Sequence, residues 1–382
     1  MKKTTIIILG LLFSLKSFSA VFTVNNRTDL PINPGQFTTI QSAVNAANSG
    51  DTLLVAGSTN NYVGFSFSKS LTIIGPGYNP DKQNPLTATI NGDIVLTSAN
   101  ASNSSISGFI FNARIVNLMN IIINNFTIRR SYFTSPYGWS VDFGSEVSTN
   151  VLVTENVFAN TLGNGVSIYR SSSSGNVTNF RIENNIFINC RISGGIYNNV
   201  NLIINHNLFI RGNNLTPLYS SFVGGTASMA ITANSAAITN NIFYNVMPLD
   251  TTVSYTKSCA MVNNITYAGT TIPTMPYGSG CVGSGNINNT NPLLLSIFNT
   301  SSTLSFNLDN LRLQNSSPAH NTAADGSDIG PTGGLYPIYQ STNQYLTGEP
   351  TLPEIKYMNF VGNSATQSGG TLQINVKAKK IN

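Results

Sequence analysis

Charged residues are scarce in this chain: Asp, Glu, Lys and Arg together account for only 9% of its 382 residues. Glu and Lys are common helix formers on protein surfaces, so their scarcity excludes a fold built from long amphipathic helices. Cysteine is scarce as well, with three residues and no CxxC spacing. This excludes a disulfide-rich scaffold and a cysteine metal site.

Acidic residues are not clustered, and the two closest in sequence are Asp325 and Asp328. Two carboxylates are too few for calcium, which takes 6–8 oxygen ligands. We therefore expect no bound metal, and no cofactor-binding motif is present either.

A repeated unit of nine residues dominates the middle of the chain. It begins with Asn or Ser, carries Asn at its seventh position in most copies, and is mostly apolar at its second, fourth and ninth positions. The copies occupy residues 103–111, 125–133, 150–158, 179–187, 201–209, 235–243 and 258–266. Their last residues are 22, 25, 29, 22, 34 and 23 residues apart, and a repeat of roughly 20–50 residues indicates a solenoid.

The alternation of apolar positions predicts short strands that bury one face. The Asn residues at the first and seventh positions predict two turn ladders, because Asn tolerates left-handed turns and stacked amides hydrogen-bond to one another. Together these features predict an all-β, right-handed parallel β-helix, with coils from near Leu53 to near Ile329.

The ends of the solenoid are predicted separately. Apolar residues at helical spacing from Ile40 to Ala47 predict an N-terminal capping helix. We expect three segments: a signal peptide at 1–19, the β-helix with its cap at 20–330, and a linker with a short C-terminal β cap or tail at 331–382.

Three segments resemble secreted parallel β-helix proteins of the pectin-lyase-like superfamily, in the form common among Bacteroidetes: residues 37–57, 71–78 and 316–330. The resemblance implies the fold, which hosts lyases, hydrolases and binding proteins. The Asn-Thr-Asp and Asp-Asp motifs of polygalacturonase-like members, the acidic calcium site of pectate-lyase-like members and the Lys-Arg pair of chondroitinase-like members have no counterpart here.

The first residues are typical of a signal peptide. Lys2 and Lys3 precede an apolar run, and small residues at positions 17 and 19 predict cleavage before Ala20. Removing Lys2, Lys3 and Lys16 lowers the basic count from 19 to 16, against 14 acidic residues, which leaves a formal charge of +2. We therefore expect export to periplasm, surface or medium, no transmembrane segment and no nucleic-acid partner.

The sixth position of the repeat predicts a column of stacked polar residues, which we call the polar column. It contains Gly108, Arg130, Glu155, Asn184, His206, Asn240 and Asn263, and Arg129 and Glu183 precede it in their copies. Coils repeat every 4.8 Å or so, close to the ~5 Å length of a sugar unit, so the column is a candidate glycan surface. Arg130, Glu155 and His206 are the candidate catalytic residues, and a merely solvated face is the alternative.

Two further candidates lie outside the column. Trp139 and Asp142 fall in an apparent insertion between residues 135 and 148, where an aromatic ring would stack on a sugar or pack on the solenoid. Cys259 and Cys281 are one period of 22 residues apart, so they form either a disulfide between adjacent coils or a pair of stacked buried thiols.

Two functions remain compatible with the sequence. The first is a noncatalytic secreted or surface protein that binds a polysaccharide or another surface partner along the solenoid. The second is a polysaccharide lyase or glycoside hydrolase that acts on the same face. A third interpretation, a rigid surface spacer, differs from both because it predicts no glycan affinity. The sequence does not determine the oligomeric state.

Overall fold

The computed structural model describes most of the chain after the first 18 residues, and every structural statement below refers to the described residues. These are residues 19–29, 35–78, 86–117, 121–134, 139–143, 148–159, 164–167, 178–193, 200–210, 229–249, 258–268, 274–276, 278–295, 311–338, 353–360 and 374–380.

The chain winds into a parallel β-helix, as the repeat predicts. Its first sheet, sheet A, has eleven parallel strands. In order they are β1 (Val21–Val24), β2 (Asp51–Val55), β4 (Leu71–Ile74), β6 (Ser105–Ser107), β9 (Asn124–Arg129), β12 (Thr149–Thr154), β15 (Thr178–Glu183), β18 (Val200–Asn205), β21 (Ala236–Thr239), β24 (Ala260–Val262) and β26 (Val282–Ser284).

Two further rows of strands complete the coils, and we call them sheets B and C. Sheet B contains β7 (Ile110–Phe111), β10 (Tyr132–Phe133), β13 (Val157–Phe158), β16 (Ile186–Ile188), β19 (Leu208–Ile210), β22 (Ile242–Tyr244) and β25 (Ile265–Tyr267). Sheet C contains β8 (Ile115–Val116), β11 (Trp139–Asp142), β14 (Asn164–Ser167), β17 (Arg191–Ser193), β20 (Met229–Thr232) and β23 (Met247–Leu249). The long strand β5 (Thr89–Leu96) pairs with β7, β8 and β3 (Tyr62–Phe67), and thereby joins the two rows.

The core consists of side chains stacked in register. The phenylalanines at the ninth position form a continuous row through sheet B, with ring centroids 4.7–5.1 Å apart. The row is Phe111, Phe133, Phe158, Phe187, Phe209 and Phe243, and every member is fully buried. The second and fourth positions, such as Phe180 and Ile182, are buried beneath sheet A in the same way. The repeat therefore defines the core.

Both predicted Asn ladders are present, but they differ in character. At the first position Asn125 donates to Asn103 at 2.8 Å, and this ladder is exposed. At the seventh position Asn156 donates to Asn185 at 3.0 Å, in a buried ladder that extends to Asn286. Each of these buried amides also donates to a sheet A carbonyl, and this satisfies polar groups that water cannot reach.

The left-handed turns correct one expectation. The first position adopts positive φ, as predicted, but in the second ladder the left-handed residue is the sixth and not the seventh. Arg130, Glu155 and His206 have φ of 51°, 56° and 52°. The polar column is therefore itself the turn between sheets A and B.

A short helix closes the N-terminal end of the solenoid. Helix α1 (Ile40–Ala46) starts at Thr39, whose hydroxyl accepts from the backbone N–H of Ser42 at 3.1 Å, and it buries Ile40, Ala43 and Val44. The predicted cap is confirmed. The coils start earlier than expected, however. The first strand of sheet A is β1, which precedes Leu53 in the chain and pairs with β2.

The C-terminal part corrects a second expectation. Within the described residues, sheet A ends at β26, well before Ile329. Residues 311–338, which we call the strap, fold back across the outer face of sheet B. The strap combines the end of the predicted β-helix segment with residues 331–338 of the predicted linker. Apolar strap residues, including Ala319 and Ile329, pack on outward side chains such as Leu208 and Ile242. Sheet B is therefore apolar on both faces, as expected for a parallel sheet that is covered on both sides.

The chain ends in an antiparallel pair of strands, β27 (Pro353–Phe360) and β28 (Ile374–Lys380). This pair is the short β tail that the sequence predicted.

Candidate functional site

Five charged residues meet on three consecutive coils of sheet A. Strands β9, β12 and β15 pair so that Arg129, Thr154 and Glu183 share one column on the outer face. Arg181 lies in the neighbouring outward column. Arg130 and Glu155 lie at the turns that follow β9 and β12. We call Arg129, Arg130, Glu155, Arg181 and Glu183 the charged cluster.

Glu155 lies between two arginines from the preceding coil. Its Oε2 accepts from Nε and Nη2 of Arg129 at 3.0 and 2.5 Å, and its Oε1 accepts from Nε of Arg130 at 2.9 Å. The Glu155 side chain is 7% exposed and that of Arg130 is 10%, whereas Arg129 keeps 31%. Both oxygens of the Glu155 carboxylate are thus occupied by ion pairs, whereas the guanidinium of Arg129 remains partly accessible to solvent.

A second ion pair lies on β15. Arg181 donates from Nη2 to Oε1 of Glu183 at 2.9 Å, and the side-chain exposures are 39% for the arginine and 2% for the glutamate. This pair repeats the arrangement at Glu155, in which a buried carboxylate holds an accessible guanidinium. The fork of Arg fits a planar anion with two parallel hydrogen bonds, so both arginines present donors suited to carboxylate or sulfate groups.

Three later members of the polar column, Asn184, His206 and Asn240, contact the strap. Asn184 donates from Nδ2 to the carbonyl oxygens of Pro331 and Gly333, at 3.2 and 2.6 Å. Asn240 accepts at its backbone oxygen from the N–H of Gly330 at 2.9 Å. These residues therefore fasten the strap and do not line an open surface.

His206 is fully buried under the strap. Its Nε2 lies 3.3 Å from Oδ2 of Asp325, which is within ion-pair distance, yet neither ring nitrogen makes a hydrogen bond of acceptable geometry. Partial burial alone would raise the pKa of Asp325, but hydrogen bonds from Ser327 and the nearby His206 hold it below its ordinary value. His206 lies two coils beyond Glu155 in the polar column, as the repeat predicts, but its side chain is not open to solvent.

Trp139 and Asp142 lie elsewhere in the fold. Both belong to β11 in sheet C, so this part of the apparent insertion is a strand and not a loop. Val141 lies in register with Ile115 of β8 and Val166 of β14, and its side chain is buried in the core. Asp142 is 3% exposed, and the side chain of Trp139 lies outside the described part of the structure.

Cys259 and Cys281 lie on adjacent coils, as predicted, and the structure has both side chains as thiols. The backbone N–H of Cys259 lies 3.4 Å from Sγ of Cys281. Burial raises the pKa of the Cys259 thiol to about 12. The disulfide stays a prediction.

The described residues contain neither a metal-ligand cluster nor a membrane-spanning helix. Among them, no group of three or more His, Cys, Asp or Glu side chains is placed to hold a metal ion. Within the same ranges, no helix has the length and apolarity to cross a membrane.

Two features of the site were missed by sequence reasoning. Arg181 occupies the third position of its repeat, where aligned copies carry mostly small or apolar residues, so a lone charge there was the available signal. The strap follows no period, and only its apolar residues hint that it covers something.

No protein-family model and no curated protein matches the chain. Among solved structures, the chain is similar to the crystal structure of pectate lyase Pel9A. The TM-score is 0.41 with 11% sequence identity, over 82% of this chain and 96% of that one. An identity this low carries no information about an active site.

Proposed function

We propose that this chain is an exported protein that binds an acidic polysaccharide along the outer face of sheet A, without cleaving it. The observation that carries the proposal is the pair of accessible guanidinium groups, Arg129 and Arg181, each held by a buried carboxylate. The signal-peptide pattern of the first 19 residues supports export.

The geometry of the two arginines suits a linear glycan. Their strands, β9 and β15, are two coils apart, which corresponds to about 9–10 Å along the solenoid axis. Two sugar units of a linear glycan cover a similar length. A chain lying along the axis would thus present a substituent to each guanidinium in turn.

The charge of the cluster favours an anionic ligand. Three arginines and two glutamates leave one net positive charge, and both carboxylates are nearly inaccessible. Their ion pairs fix the guanidinium groups before any ligand arrives, which lowers the entropy lost on binding.

Catalysis is disfavoured by the state of the candidate catalytic groups. A general base must be free to take a proton from the substrate. Glu155 already accepts hydrogen bonds from Arg129 and Arg130, and His206 is buried under the strap. This arrangement supports binding over turnover.

A glycan array of the chain from Ala20 onward tests the proposal, with Arg129→Gln and Arg181→Gln in parallel. Each substitution removes a charge-assisted bond, so we expect roughly tenfold or greater loss of affinity for carboxylated or sulfated glycans. Arg114→Gln is the matched control, because Arg114 pairs with Asp93 and is 23% exposed but lies between sheets B and C. It should bind like the parent chain.

Product analysis on every glycan that binds separates the alternatives. Unsaturated or reducing-end products would replace the proposal with a lyase or hydrolase. Absence of binding to all glycans would leave a structural surface protein, and equal losses in all three variants would show that the ligand does not recognise this cluster.

A further inference from the structure

A buried carboxylate lies at the N-terminal edge of the solenoid. Asp51 is the first residue of β2 and is 3% exposed. Its Oδ1 accepts from the backbone nitrogen of Ala20 at 2.7 Å, and its Oδ2 accepts from that of Asn48 at 2.7 Å. Both oxygens are thus hydrogen-bonded, but only to neutral amides.

The negative charge of Asp51 has no counterion in the described structure. No Lys, Arg or His in these residues lies within ion-pair distance of its carboxylate. A buried carboxylate is costly unless an opposite charge accompanies its hydrogen bonds. The site therefore lacks one positive charge.

The atom that would supply this charge is the nitrogen of Ala20. The small residues at positions 17 and 19 place the predicted cleavage between Ser19 and Ala20. The structure places the start of sheet A pairing at the same residue, since Thr52 donates from its backbone to the oxygen of Ala20 at 2.9 Å. Two independent observations thus converge on one atom.

We propose that the Ser19–Ala20 bond is a processing site and that the ammonium group it releases forms an ion pair with Asp51. Water hydrolyses the peptide bond, Ser19 leaves with a carboxylate, and the nitrogen of Ala20 takes a proton. That nitrogen stays in place while its neutral hydrogen bond becomes charge-assisted, which strengthens it. The first strand is thereby locked onto the second.

This inference rests on the proposed export but is independent of glycan binding. Its first test is the intact mass of the protein recovered from the periplasm of a bacterial host that expresses the whole chain. An N-terminus at Ala20 supports the proposal, and any other N-terminus overturns it.

The second test compares three forms of the chain by hydrogen exchange. The first has a free amine at Ala20, the second is acetylated there, and the third carries a Gly-Gly-Gly-Ser extension that restores Ser19. Both modified forms keep the N–H donor without the charge. The amide of Thr52 reports on the pairing of the first strand and should exchange roughly fivefold faster in both modified forms.

Substitutions identify the partner of the amine. In Asp51→Asn the three forms should exchange alike at Thr52, because the anion is gone. Asp29→Asn is the matched control, since Asp29 is an exposed carboxylate paired with Arg27, and the fivefold difference should persist. Equal exchange of the free and acetylated forms with Asp51 intact would overturn the ion pair, even if cleavage occurs at Ala20.

Discussion

The side-chain amide of Asn184 donates a hydrogen bond of 2.6 Å to the carbonyl oxygen of Gly333, across 149 residues of chain. The same nitrogen donates to Pro331, so one side chain holds two carbonyls of the strap. Asn184 belongs to the polar column that the sequence predicted, and in the structure its side chain holds the strap.

Asn184→Ala should loosen the strap. It removes the donor to the buried carbonyl of Gly333, while the carbonyl of Pro331 still accepts from the backbone N–H of Ile338. We expect a cost of about 1–3 kcal/mol of unfolding free energy. Asn263→Ala is the matched control. Asn263 has a φ of 52°, close to the 53° of Asn184, so both substitutions replace an Asn in a left-handed turn, but only Asn184 donates to Pro331 and Gly333. Chemical denaturation and limited proteolysis would measure the difference, and equal effects of both substitutions would contradict the anchoring role.

Gly334 should not tolerate a side chain. A Cβ there would lie 2.6 Å from Cδ2 of His206, and the residue has φ of 72°. Gly326→Ala meets no atom within 4 Å at φ of 79°, so it reports the backbone cost alone, about 1–2 kcal/mol. We expect Gly334→Ala to cost about 1–3 kcal/mol more by overpacking, and His206→Ala to recover part of that excess in the double mutant.

Cys259 should resist alkylation in the folded protein. Its thiol has a pKa of about 12, so at neutral pH the reactive thiolate is far rarer than in an unfolded chain. Iodoacetamide labelling followed by mass spectrometry should modify Cys259 far more than tenfold slower natively than in denaturant. If Cys259 and Cys281 become labelled only after reduction, the predicted disulfide exists.

Alkaline pH should destabilise the fold through Tyr244. Burial, with a smaller contribution from Tyr267, raises the pKa of Tyr244 from 10.0 to about 12. The folded state then retains a proton that the unfolded state loses, so stability is unchanged below pH 10 and falls between pH 10 and 12. Denaturation across this range should show a shallower decline for Tyr244→Phe, and an identical decline would contradict the assignment.

The sequence predicted those parts of the structure that recur in every coil. The phenylalanine row and the Asn ladders recur at fixed positions of the repeat. The repeat therefore predicts the contact between Phe187 and Phe209, although these residues are 22 positions apart in the sequence. Helix α1 was likewise visible, because its spacing and its stop signal are local.

The remainder was not encoded locally. The left-handed sixth position is occupied by Arg130, Glu155 and His206. Arg and Glu rarely adopt positive φ, so their presence does not predict a left-handed turn as Asn or Gly would. The strap joins Gly333 to Asn184 without any period. The repeat therefore predicts which residues lie in the polar column, but not which of them are covered by the strap.

The strap also alters how this solenoid should unfold. In a simple repeat protein each coil is coupled only to its two neighbours, so the end coils open first and the rest follow in steps. Here residues 311–338 contact the side chains of Asn184, His206 and Asn240, which lie on three different coils. We therefore expect those coils to unfold together as a single cooperative unit.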